Sequence, residues 1–219
     1  MLQKRIAKLV EKCTLTGLFC LLFTFSSWVS ANPVILVLGD SLSAEYGLPR
    51  GSGWVKLLDQ ELQKQGSNWS VFNASISGET SSGGLTRLPT HLESKKPEIV
   101  FLELGANDAL RGLTIEQTKD NLQKIIRLSK KSGAKVLLFG MQIPPNYGQQ
   151  YTKQFKDLYP MLASQEGIQL VPFFLEGVAQ HQDLFQADNI HPNVAAQSIL
   201  FKNVWGAMAP YKSILIPKK

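Results

Sequence analysis

Five short runs of branched and aromatic residues, with helical periodicities between them, constrain this chain more than any other feature. The runs are Val34 to Leu38, Val71 to Ala74, Ile99 to Leu104, Val136 to Phe139 and Ile168 to Phe173. Most are apolar at consecutive positions, which suits strands buried on both faces rather than half-exposed ones. Between them, Trp54, Leu57, Leu58 and Leu62 share one helical face. Thr114, with Gln117 three residues on, reads as a capping box. It opens a helix lined by Ile115, Leu122, Ile125 and Ile126 and stopped at Gly133. Tyr151, Phe155, Leu158, Tyr159 and Leu162 repeat the pattern, and Val194 to Ala209 forms a closing helix. No internal repeat, low-complexity tract or linker interrupts this order. Such alternation predicts one α/β domain over residues 32–219, a three-layer α/β/α sandwich around a five-stranded parallel sheet.

Residues 1–31 read differently. Lys4, Arg5, Lys8 and Lys12 precede an apolar stretch from Leu15 to Val29, which ends in Val29-Ser30-Ala31. A basic start, a short apolar middle and small residues at the end describe a cleavable secretory signal peptide, with the cut expected after Ala31. The run is short for a membrane span and is broken by Thr24, Ser26 and Ser27. The expected location is therefore periplasmic or secreted, without stable membrane insertion after processing. Both cysteines, Cys13 and Cys20, lie in this leader, so the processed chain has no thiol or disulfide. Four of the 23 bases and one of the 17 acids also fall there, leaving 19 against 16. That mild, scattered surplus does not indicate a nucleic-acid surface.

The chemistry-bearing residues sit where strands end. Ser41 follows the first run in Gly39-Asp40-Ser41-Leu42-Ser43, and Gly78 follows the second in Ala74-Ser75-Ile76-Ser77-Gly78. Asn107 follows the third in Gly105-Ala106-Asn107-Asp108. Asp188 and His191 come after the fifth in Asp188-Asn189-Ile190-His191-Pro192. Parallel strands share a direction, so these ends converge on the edge where open α/β sheets bind ligands. A hydroxyl, an imidazole and a carboxylate are the parts that turn serine into a nucleophile.

These four ordered blocks resemble the SGNH (GDSL-type) hydrolases, and most nearly their thioesterase I, lysophospholipase and arylesterase branch. The likeness runs from Val34 to the last helix and extends to Arg87-Leu88-Pro89 and Pro145-Asn146-Tyr147-Gly148. It implies a flavodoxin-like sheet and a serine esterase or thioesterase. It also implies a role for each block: Ser41 as nucleophile, His191 as base, Asp188 as its orienting carboxylate. The Ser41 and Gly78 backbone N–H groups and the Asn107 amide would form the oxyanion hole. Two positions depart from the family pattern: Glu45 and Asn189 stand where glycine is frequent.

His91 and His181 compete for the base, but only His191 has a carboxylate three residues before it. Asp40 and Asp108 read as turn acceptors for nearby backbone N–H groups. No Gly-x-Ser-x-Gly elbow, metal-ligand cluster or phosphate loop is present, so neither metal nor cofactor is implied. Two loops could line an acyl groove, through Leu110 and Leu113 and through Ile143, Pro144 and Tyr147. The expected partner is a small acyl ester, thioester or lysophospholipid, handled by a monomer. The competing readings are a carbohydrate O-deacetylase and an exported lipid- or glycan-binding protein without catalysis.

Overall fold

A computed structural model describes residues 32–217. The expected leader lies outside the described residues. Strands β1 (Val34–Gly39), β2 (Ser70–Asn73), β3 (Ile99–Glu103), β4 (Lys135–Phe139) and β5 (Gln169–Val171) form one parallel sheet in the order β2-β1-β3-β4-β5. The flavodoxin-like order follows from the chain moving first to one side of β1 and then, from β3 onward, to the other. β1 and β3 are central. From Ile35 to Gly39 and from Ile99 to Glu103 every residue is buried, as their unbroken apolar runs require.

Helices cover both faces. Helix α1 (Trp54–Lys64) packs on α6 (Gln197–Ala207), where the Gln197 side chain accepts from the Trp54 N–H. On the other face, α2 (Ser81–Lys95) packs against α4 (Ile115–Lys131), and α4 against α5 (Gln149–Glu166). The Thr114 hydroxyl caps α4 by accepting from the Gln117 N–H, and Gly133 ends it at φ +93°. Trp54, Phe139 and Phe174 meet at centroid distances of 5.1–5.5 Å and fill the core beneath the far strands.

The observed elements depart from the sequence reading in four places. No periodicity announces α2, which carries Gly83, Gly84 and Pro89. Tertiary contacts override its poor propensity. The Thr80 hydroxyl caps it, and Asp108 accepts from the Ser81 N–H and hydroxyl. At Gly84 a Cβ would lie 2.3 Å from Leu104 Cδ1, so glycine lets the helix approach the sheet here without displacing that side chain. β5 stops at Val171 because Pro172 has no N–H to give the ladder. The closing helix starts at Gln197 rather than Val194, since the Asn193 side chain turns the chain first by accepting from Ala195 and Ala196. Ala109 and Leu110, expected in a loop, belong to a short helix α3 (Ala106–Leu110).

Candidate active site

The sheet order places Ser41, just past β1, beside Asn107, just past β3, across the point where the strand order reverses. Ser41 heads a tight turn in which the Asp40 carbonyl accepts from Ser43 and Ala44, and the Asp40 side chain from Leu42 at 3.0 Å. The Ser41 Oγ lies 3.0 Å from His191 Nε2, and His191 Nδ1 lies 2.6 Å from Asp188 Oδ2. An ionised Asp188 can only accept, which puts a proton on Nδ1 and leaves Nε2 free to receive the serine proton.

The Asp188 turn is locally built. Its Oδ1 accepts from the N–H of Ile190 at 2.9 Å and of His191 at 3.0 Å. The bond from the His191 N–H comes first among the causes that hold this carboxyl down at about 2. Asn189 takes φ +57° within the turn and Glu45 φ +58° after the first block. Both departures from glycine thus occupy left-handed positions. Asparagine enters that region more readily than other non-glycine residues. Glu45 is tied down there by accepting from Gly51 and Gly53, so its charge serves its own loop rather than the cleft. The Tyr46 ring packs against the His191 ring at 4.4 Å. Gln186 links the two loops by donating to the Tyr46 carbonyl through its side chain and to the His191 carbonyl through its backbone.

Among the described residues, neither the Ser41 N–H nor the Gly78 N–H has an acceptor. Gly78 sits at φ +78°, and its carbonyl is held by Arg111 at 2.8 Å. The Asn107 amide nitrogen donates to Asp40 Oδ2 and to the Glu79 carbonyl, each at 3.0 Å. Both neighbours are acceptors, so the amide orientation is unambiguous, and the second and third blocks are joined directly.

The profile of the GDSL-like lipase/acylhydrolase family matches residues 37–199, which include Ser41, Gly78, Asn107, Asp188 and His191. The chain belongs to this family. It is 48% identical over 191 residues to esterase TesA of Pseudomonas aeruginosa, covering 87% of this chain and 95% of that protein. It is 43% identical over 183 residues to thioesterase 1/protease 1/lysophospholipase L1 of Escherichia coli, covering 84% and 86%. The structure of a psychrotrophic esterase, EstA from Pseudoalteromonas sp., inhibited by monoethylphosphonate, superimposes with a TM-score of 0.78 at 40% identity, covering 81% and 97%. As a GDSL-like hydrolase the protein is an enzyme acting on ester bonds.

A cavity of about 760 Å³ opens beside Ser41 and His191 in this hydrolase. Leu110, Ile143 and Pro144 line it; Leu113 and Tyr147 do not. Leu113 lies past Gly112, with its carbonyl taken by the Tyr151 hydroxyl and its side chain turned to solvent. Tyr147 ends the 3-10 turn Pro145–Tyr147, also exposed. The far wall is instead made by Phe173, Leu175, Phe185 and Ile190. These residues lie after β5 and inside the Asp188–His191 turn, where the only sequence hint was apolar residues between two functional segments.

Sequence reasoning also missed Glu103. It is the last residue of β3, fully buried, and the one charged residue in an otherwise apolar run. Its Oε2 accepts from the Asp40 N–H at 3.2 Å and the Ser43 hydroxyl at 2.7 Å. Asp40 is a turn acceptor as expected, but it is also buried beside Glu103 and holds Asn107. Asp108 accepts from a backbone N–H too, though from Ser81, 27 residues away, rather than within its own turn. His91 packs beside Arg87, and burial is the first of the causes that lower its pKa. His181 forms the exposed start of the 3-10 turn Gln182–Leu184.

Proposed function

We propose that this protein is an exported serine esterase that cleaves acyl esters, with lysophospholipids and aryl or alkyl esters as its substrate class. The contact of Ser41 Oγ with His191 Nε2, continued from Nδ1 to Asp188, carries this reading. Ser41 attacks the acyl carbonyl while His191 takes its proton. The tetrahedral oxyanion is held by the N–H groups of Ser41 and Gly78 and by the Asn107 amide, which turns one N–H from the Glu79 carbonyl to the oxyanion while the other stays on Asp40. His191 then protonates the departing alcohol or thiol, leaving an acyl group on Ser41. Water, deprotonated by His191, attacks this acyl-enzyme and releases the carboxylic acid. Asp188 holds the imidazole tautomer and offsets its charge in both halves.

The cavity supports a long acyl chain, because its walls are largely aliphatic and aromatic and start at the nucleophile. Among the described residues, six of the nine large exposed apolar side chains (Tyr46, Ile76, Leu113, Tyr147, Ile190 and Val194) stand on strand-end connections, which suits an amphiphilic substrate better than an acetylated sugar. Free acyl-CoA is cytoplasmic, so export through the residue 1–31 leader favours envelope lipids over that thioester.

A fluorophosphonate probe should label the purified protein and leave Ser41→Ala unlabelled. Hydrolysis of p-nitrophenyl esters and of a lysophospholipid should disappear in the same variant. Labelling that persists in Ser41→Ala would mean that another residue is the nucleophile.

A further inference from the structure

Directly beneath Ser41 lie two carboxyl groups that the reaction as written does not use. Asp40 and Glu103 are 1% and 0% exposed, and among the described residues no lysine or arginine forms an ion pair with either. They are not accidental neighbours. Gly39 pairs with Glu103 across the sheet, and a Cβ on Gly39 would lie 2.8 Å from Glu103 Oε2. The absent side chain makes the space that Glu103 occupies. Two buried carboxylates without a cation repel one another and forfeit their hydration, so a proton must remain in the pair.

We infer that Asp40 and Glu103 act together as positioning residues: Glu103 holds a proton against Asp40, and the Asp40 carboxylate orients the Asn107 amide and the Ser41 turn. This rests on the roles proposed above for Ser41 and Asn107. Asp40 accepts from Leu42 on one oxygen and from Asn107 on the other, so it joins the nucleophile to the oxyanion donor. Glu103 accepts from the Asp40 N–H and the Ser43 hydroxyl through Oε2, while Oε1 has no partner as a bare acceptor. A protonated carboxyl removes that vacancy by donating. Burial is the largest cause raising both groups. Both Asp40 oxygens accept from N–H donors whereas Glu103 Oε1 accepts from none, so Glu103 is the proton holder.

The titratable groups around the pair come from three further elements. His191, from the turn after β5, attracts the Asp40 charge. Tyr159 of α5, whose hydroxyl donates to the Leu104 carbonyl, and Asp108 of α3 complete the surroundings. An imidazolium formed during acyl transfer would thus feel Asp40 as well as Asp188.

The proton gives a readout independent of catalysis. Both pKa values are raised on folding, so the folded chain holds a proton that the unfolded chain releases above the ordinary carboxyl range. Stability must fall as pH rises toward the folded value. One such proton raises the unfolding constant about tenfold per pH unit. Urea unfolding from pH 5 to 8 should therefore show wild type losing up to about tenfold per unit relative to Glu103→Gln, whose amide cannot titrate. Parallel pH dependences would overturn the proposal.

Activity tests the positioning half. Glu103→Ala should lower kcat on the order of 100-fold with KM little changed, as for loss of an oxyanion donor. Glu103→Gln should restore kcat to within about threefold, because its NH₂ donates where the proton sat and its oxygen keeps the Glu103 acceptor role. Asp40→Asn should fall as far as Asn107→Ala. A Glu103→Gln variant with kcat reduced on the order of 100-fold, or wild-type kcat in Asp40→Asn, would overturn it. If Glu103→Ala does not fold, the Gln variant alone decides. Loss of the proposed nucleophile assignment would appear separately, as continued fluorophosphonate labelling of Ser41→Ala with the unfolding result unchanged.

Discussion

His191 and Asp188 stand on an outer turn whose hydrogen bonds span two or three residues, whereas Asp40 and Glu103 lie buried beneath Ser41 and meet across 63 residues. The same residue type behaves oppositely in the two regions. Backbone donors and the imidazole hold Asp188 down to about 2, while burial pushes Asp40 up to about 6. A carboxylate that must stay charged is thus placed at the surface, where donors are cheap. In the proposed reaction the buried pair keeps one proton and contributes geometry, the outer turn supplying proton transfer and the inner floor aim.

Breaking the outer turn should have the larger effect. Asp188→Asn keeps the shape but favours the wrong imidazole tautomer, and kcat should fall about 10³–10⁴-fold. Asn107→Ala, at the floor, should lower kcat about 10²–10³-fold and, by leaving the buried Asp40 Oδ2 without its donor, lower stability by about 1–3 kcal/mol. Steady-state kinetics and thermal unfolding of the two variants measure that ordering directly. A smaller loss for Asp188→Asn than for Asn107→Ala would invert the division of labour.

Asp108 sharpens the contrast, being buried but outside the reacting groups. Asp108→Asn leaves the Ser81 N–H or hydroxyl poorly matched and should cost about 1–3 kcal/mol in urea unfolding while kcat changes far less. At the cavity, Ile143→Asp should cut the ratio of long- to short-chain ester rates by about tenfold or more, and Leu113→Asp should leave the ratio within about twofold. Equal responses would place the acyl chain elsewhere. The smallest effect is the acid behaviour of the outer turn. Because Asp188 is lowered on folding, its contribution is present above the ordinary aspartate value and is lost as pH falls through about 2. An acid unfolding curve of Asp188→Asn should therefore differ from wild type most below pH 4, in the direction of a shallower decline.

The parts readable from the chain alone are those encoded over short distances. Val34 to Leu38 followed by Gly39-Asp40-Ser41 announces a buried strand and its terminal turn, because apolar continuity and turn chemistry are local properties. Asp188 and His191 were legible as partners for the same reason: three residues in a tight turn suffice to bring carboxylate and imidazole together. Alternating periodicities likewise determined the layered architecture. Helix α2 was not legible, since its glycines and proline oppose helix locally and are overruled by Asp108, Leu104 and the Thr80 cap. Nor were the cavity's far wall and the buried pairing of Glu103 with Asp40. Those depend on which side chains from separate strands share a space without water, and only the packed chain decides that.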